Sequence, residues 1–172
     1  QFPSFAKANN IDIGKIKVEP VGFPTREPML AEGKVDSVTG FSFSSYLNLV
    51  RLGVPENDIS TILMADHGLK LYGNAVIVNT EYAEANGDTV KAFLGAVAAG
   101  WKDAIADPTA AAAALVKRNP AADAALEERR LELAINANVL TDYVKANGMG
   151  GIDSARFSAA IKPVSYTHLR AH

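Results

Sequence analysis

The chain has 172 residues, 48% of them hydrophobic and 21% charged, the balance of a globular protein with room for one ordinary domain or two small lobes. Its 17 Lys and Arg stand against 19 Asp and Glu for a formal net charge of −2, with no basic cluster, so neither nucleic acid nor an anionic lipid surface has electrostatic support as a partner. Cysteine is absent, which excludes disulfides, thiolate nucleophiles and cysteine-ligated metals, and no apolar run approaches the roughly 20 residues that span a bilayer.

The opening Gln1-Phe-Pro-Ser-Phe5 reads as the start of a helix inside a domain, running from Phe2 to Asn9. The chain is accordingly expected to be an N-terminally truncated fragment whose targeting signal went with the missing part. Lys15-Ile-Lys-Val-Glu-Pro-Val21 alternates polar and apolar residues as a strand does. Thr25 is placed to cap a helix through Met29 and Leu30, with Gly33 just past its end. Val35 to Thr39 reads as a second strand. Tyr46, Leu47, Leu49 and Val50 suit a short helix that Gly53-Val-Pro55 stops, and at least one of Ser42, Ser44 and Ser45 is expected to cap it. Ile59 to Met64 and Asn74-Ala-Val-Ile-Val-Asn79 complete four expected strands.

The second half is helical in pattern. Val90, Phe93, Leu94, Val97, Ala98, Trp101 and Ile105 form the apolar stripe of an amphipathic helix. Asp107-Pro108 starts another, a longer helix begins near Ala122, and Thr141 to Asn147 and Asp153 to Ile161 are two short ones. The final octet, Ser165 to His172, carries no periodicity and reads as non-native sequence. His168 and His172 are four apart, a metal-ligand spacing without a third ligand.

Strands alternating with helices imply a parallel sheet with helices on its faces. Ligands of such sheets bind beyond the carboxyl ends of the strands. That rule selects Gly22 to Arg26, Thr39 to Tyr46, Ala65 to Asn74 and Asn79 to Tyr82, of which the first three are rich in aromatics, hydroxyls and small residues. The blander readings stand beside this one. Phe41 and Phe43 serve equally well as core plugs, Arg26 as a surface partner of Glu27 or Asp36, and His67 as part of a tight turn. No Gly-x-Ser-x-Gly, phosphate-binding glycine loop or metal-ligand cluster is present, so no catalytic residue, metal or cofactor is expected.

The runs Arg26-Glu-Pro-Met-Leu30, Gly33-Lys-Val-Asp36, Thr39-Gly-Phe-Ser-Phe43 and Leu71-Tyr-Gly-Asn-Ala-Val-Ile-Val-Asn79, followed by Gly100-Trp-Lys-Asp103, Lys117-Arg-Asn-Pro120 and Asn138-Val-Leu-Thr141, together resemble ABC-transporter substrate-binding proteins of the nitrate/sulfonate/taurine type. That group includes binding proteins for pyrimidine precursors of thiamine. The resemblance implies an α/β, two-lobed periplasmic-binding-protein type II fold with parallel sheets flanked by helices. Only the second lobe (1–73) and a mostly helical return to the first (74–163) are expected in this chain, with 164–172 as the tail.

The resemblance further implies a monomeric solute receptor, periplasmic or lipid-anchored at the outer face of the cytoplasmic membrane. It would bind a small organic or anionic solute between the lobes and deliver it to a membrane permease and its ATPase. The ligand contacts it suggests are Phe41, Ser42, Phe43, Tyr46, Tyr72 and Asn74, with Arg26 and Asp66 in supporting positions. The alternative is a pyrimidine-precursor biosynthetic enzyme of the same fold. The cysteine-rich signature of that branch is missing, and His67 is its sole native histidine candidate.

Overall fold

Helix α1 (Phe2–Ala8) ends where Asn10 turns to a positive φ of 55° and the Ile11 N–H reaches back 2.8 Å to the Ala6 carbonyl. The same closure recurs in this half of the chain. Helix α2 (Phe23–Ala31) ends with Lys34 N–H on the Met29 carbonyl at 2.8 Å, and α3 (Ser42–Arg51) with Val54 N–H on Leu49 at 3.1 Å. The turning residues are Gly33 and Gly53, at φ of 68° and 88°, where a side chain would be strained. Gly33 therefore sits where its place in the sequence predicts.

The structure, a computed structural model, describes the backbone of residues 1–168 and the side chains of residues 1–161. It divides into one unit of Gln1–Tyr72 with the chain from Ile152 onward, and a second of Gly73–Gly151. In the first unit α2 packs on α3, and Ala6, Leu47, Leu49 and Leu69 are its buried apolar residues. The unit also takes in α9 (Ser154–His168), whose cap Asp153 accepts the Arg156 N–H at 2.7 Å.

The second unit is a run of helices, α4 (Thr80–Ala85), α5 (Gly87–Ala106), α6 (Pro108–Arg118), α7 (Ala124–Ala134) and α8 (Asp142–Asn147), with a π turn over Ile135–Val139, and all but α5 carry a side-chain cap. Asn79, Asp107, Asp123 and Thr141 each accept an N–H from the first turn of the following helix. Such caps contribute about 1 kcal/mol apiece by satisfying donors that have no partner inside the helix. Helix α6 packs on both α5 and α7, where Thr109 donates to Glu128 at 2.5 Å, and Ala112 and Ile135 are buried.

The expected parallel-sheet α/β architecture is not observed: the described residues form helices and turns, with no strand. The periplasmic-binding-protein type II fold therefore gives way to a helical description of this chain. An alternating pattern states which face a strand would bury, but a strand holds only when a neighbour takes its N–H and C=O groups. No backbone hydrogen bond joins any two of the four expected stretches. None of their apolar side chains is fully buried, and several stay exposed, among them Val18, Ile62 and Ile77, the last at 91%. The first stretch also loses its start to a tight 3-10 turn over Ile13–Lys15, pinned by Asp12 on Gly14 N–H, and Pro20 removes a donor further along.

Two helix starts differ as well. Helix α2 begins at Phe23 with Gly22 as its cap, and the Thr25 hydroxyl donates back to the Gly22 carbonyl at 3.0 Å. Phe41 occupies the cap position of α3 with no side-chain cap bond, so none of the serines does that work. The expected tail and the His168–His172 spacing fall on side chains outside those described, and residues 169–172 lie outside the described residues altogether.

Candidate functional site

The sequence places Arg26 and Glu27 side by side in the first turns of α2, one residue apart and so about 100° apart around the helix. Their side chains nevertheless close on each other. Arg26 donates through Nε at 3.0 Å and through Nη2 at 2.5 Å to Glu27 Oε1, and Nη2 also donates to Ser45 Oγ on α3 at 3.0 Å. The pair is sealed, with side-chain exposures of 15% and 3%. Burial alone pushes the Glu27 carboxyl up, but hydrogen bonds from Arg26 and Ser45 outweigh it and hold the group below its ordinary range.

Gly40 makes this packing possible. A Cβ at that position would lie 2.0 Å from Ser45 Oγ and 3.0 Å from Arg26 Nη2. The backbone leading into α3 thus rests directly on the guanidinium. The strand end where sequence reasoning stops at Gly40 is in fact the lid of a buried ion pair.

Immediately beyond, the α3 start presents its aromatics. Phe41 and Phe43 stack with ring centroids 5.3 Å apart and 21° between planes, Phe41 being 47% exposed. Ser42 and Ser44 are half-buried beside them. Tyr46, one turn on, donates its hydroxyl to Glu56 at 2.6 Å. The Arg26 guanidinium lies 5.3 Å from the Phe23 ring centroid, and Phe23 is itself 78% exposed. Phe41, Ser42, Phe43, Tyr46 and Arg26 are therefore brought to one corner of the first unit, where α2 meets α3.

The other expected contacts lie elsewhere. Tyr72 Oη accepts the Asp153 N–H at 2.8 Å, and Arg156 stacks over the Tyr72 ring at 4.4 Å while donating to the Leu71 carbonyl at 2.7 Å. This clasp ties α9 to the end of the first segment. Asp66 is exposed in a turn closed by Leu69 N–H on the Met64 carbonyl, and Asn74 is exposed in the second unit. His67, in the same turn as Asp66, sets its ring edge-on to Phe5 at 6.3 Å. No group of three or more acidic or histidine side chains suited to a metal occurs among the described residues, and no described helix is long and apolar enough to cross a membrane.

Sequence reasoning missed Ser45 as a partner of Arg26 and offered Glu27 only as one of two surface partners, beside Asp36. Adjacent residues on a helix carry no signal of mutual burial. Arg156 was missed too, although Asp153 three residues before it marks a helix start.

Residues 1–111 match the model of the NMT1/THI5-like family. The chain belongs to that family. NMT1/THI5-like proteins include the nitrate/sulfonate/taurine and thiamine-precursor binding proteins and are mostly non-enzymatic binders, which gives this member a solute-binding role. The matched span contains the whole Arg26–Tyr46 corner together with Tyr72 and Asn74. No curated protein and no solved structure matches the chain.

Proposed function

We propose that this NMT1/THI5-like protein is the solute-binding component of an ABC importer. It holds a small organic or anionic solute of the thiamine-precursor, sulfonate, taurine or nitrate class and passes it to a membrane permease driven by an ATPase. It works as a monomer, periplasmic or lipid-anchored outside the cytoplasmic membrane. The contact surface is the Phe41–Tyr46 corner, with Arg26 beneath it; Asp66, Tyr72 and Asn74 are the further candidates.

The observation that carries this reading is the stacked, half-exposed Phe41–Phe43 pair inside the family-matched span. A large ring such as Phe41, 47% exposed at the start of a helix, loses much of the benefit of burial, and a flat solute restores it. Binding of this kind is non-covalent and leaves the solute unchanged. Calorimetric titration of the chain with an aminopyrimidine, taurine, an alkanesulfonate and nitrate tests it. Saturable binding of one of them at micromolar or lower concentration, with the solute recovered intact, is the expected result. Heat-silent titrations with all four would contradict the reading.

A further inference from the structure

We infer that Asn86, in the turn between α4 and α5, is a site of spontaneous covalent modification: its side-chain amide is lost to the backbone nitrogen of Gly87, and the link becomes isoaspartate or aspartate.

Two asparagines of the chain precede a glycine, Asn86 and Asn147. The glycine matters because the following backbone nitrogen attacks the asparagine Cγ, and a side chain on the attacking residue would crowd that approach. A Cβ at Gly87 or at Gly148 would meet nothing within 4 Å, so both places are open. Each asparagine also donates from Nδ2 to the carbonyl four residues before it, Asn86 to Tyr82 and Asn147 to Tyr143, both at 3.0 Å. In these respects the two are equal.

Their attacking nitrogens differ. Gly148 N–H donates to the Val144 carbonyl at 2.8 Å, and Asn147 is the last residue of α8. Ring closure there breaks a hydrogen bond and pulls the asparagine out of helical geometry. Gly87 is the first residue of α5, where N–H groups have no carbonyl within the helix, and no backbone carbonyl of the described residues accepts its N–H. Asn86 already stands at φ −132° and ψ 39°, outside the helical range. The positive end of the 20-residue α5 favours the deprotonated nitrogen that attacks. The free energy of one hydrogen bond corresponds to about a tenfold difference in rate.

In the step itself the Gly87 nitrogen bonds to Asn86 Cγ and the Cγ–Nδ2 bond breaks. Nδ2 leaves as ammonia, carrying the proton that the Gly87 nitrogen gave up. One water then opens the cyclic imide. Cleavage at Cγ gives aspartate, and cleavage at the main-chain carbonyl gives isoaspartate, with the chain running through the side-chain carbon. Water is consumed and ammonia released, with no oxidant or cofactor. Either product puts a carboxylate where Nδ2 donated to the Tyr82 carbonyl, so the end of α4 loses that bond and loosens.

The test incubates the folded full chain at mildly alkaline pH, beside the same chain in urea, and follows both asparagines by peptide mapping with mass spectrometry. In the folded chain Asn86 is expected to convert at least about tenfold faster than Asn147, and in urea the two are expected to convert at similar rates. Gly87→Ala puts a methyl into open space at a helix start, so it is expected to fold and to slow conversion at Asn86 at least about tenfold. The converted protein, separated by its added charge, is expected to be cut by protease within α4 faster than the unconverted one. Folded-state conversion of Asn147 level with or ahead of Asn86 overturns the inference. So does an Asn86 that stays intact in the folded chain while it converts in urea, or conversion of Gly87→Ala at the wild-type rate. An equal preference for Asn86 in urea overturns the structural account of it, and equal cutting of the two species overturns the loosening of α4.

Discussion

Arg26 Nη2 lies 2.5 Å from Glu27 Oε1, and the Glu27 side chain is shut from water while that of Arg26 keeps 15% of its exposure, although their residues are neighbours in sequence. A carboxylate placed this way has one cationic partner, with Ser45 as its second hydrogen-bond donor, and its removal leaves a largely buried guanidinium with no counter-charge. Glu27→Ala is therefore expected to lower unfolding free energy by roughly 3–5 kcal/mol, measured by urea denaturation. Arg26→Met with Glu27→Leu removes both charges together and is expected to cost much less. Equal losses for the single and the double variant would contradict the buried pairing.

The same pair sets an acid limit. Glu27 titrates below its ordinary value of 4.5 in the folded chain, so the native state favours the ionised form. A depressed carboxyl contributes stability that is fully present above the unfolded value and is lost as pH falls through the folded one. The stability gap between wild type and Glu27→Gln is expected to be level at neutral pH and to shrink below 4.5. A gap that widens on acidification would show the opposite sign of shift.

Gly40→Ala drives a methyl group to within 2.0 Å of Ser45 Oγ. Overpacking of that kind costs about 1–3 kcal/mol. Ser45→Ala removes the clashing oxygen, so the double variant Gly40→Ala with Ser45→Ala is expected to lose less than the sum of the two single changes. Strict additivity in denaturation midpoints would mean that the close approach is not what excludes a side chain there.

Tyr72→Phe deletes the acceptor of the Asp153 N–H. The expected loss is about 1–2 kcal/mol, concentrated in the attachment of α9. Limited proteolysis should cut the segment after Ile152 faster in Tyr72→Phe than in the wild-type chain, and faster still in Arg156→Ala, which also gives up the bond to the Leu71 carbonyl. Unchanged cleavage in both variants would argue that the clasp does not secure α9.

Much of the helical content is legible from residue order because its signals are local. Asp107-Pro108, Thr141 and Gly33 act through atoms within a few residues of themselves, and the structure puts each at the helix end it predicts. The expected sheet is absent, because neither the alternation in Lys15 to Val21 nor the short apolar run Asn74 to Asn79 says whether a second backbone lies alongside. The corner was legible only in part. The cluster of aromatics and serines was readable as a group, and the structure brings Phe41, Phe43 and Arg26 together where α2 meets α3. The burial of Glu27 beneath it was not visible, since it arises from α3 packing across α2 and from a glycine whose close approach depends on tertiary contact.

The most direct trial of the account is the solute affinity of Phe41→Ala with Phe43→Ala, set against that of the wild-type chain in the same calorimetric titration. The account predicts at least about a tenfold weakening in a chain that still unfolds cooperatively, because Phe41 is 47% exposed and Phe43 is half-buried and outside the buried core. Wild-type affinity in this double variant would place the solute somewhere else on the chain and contradict the assignment.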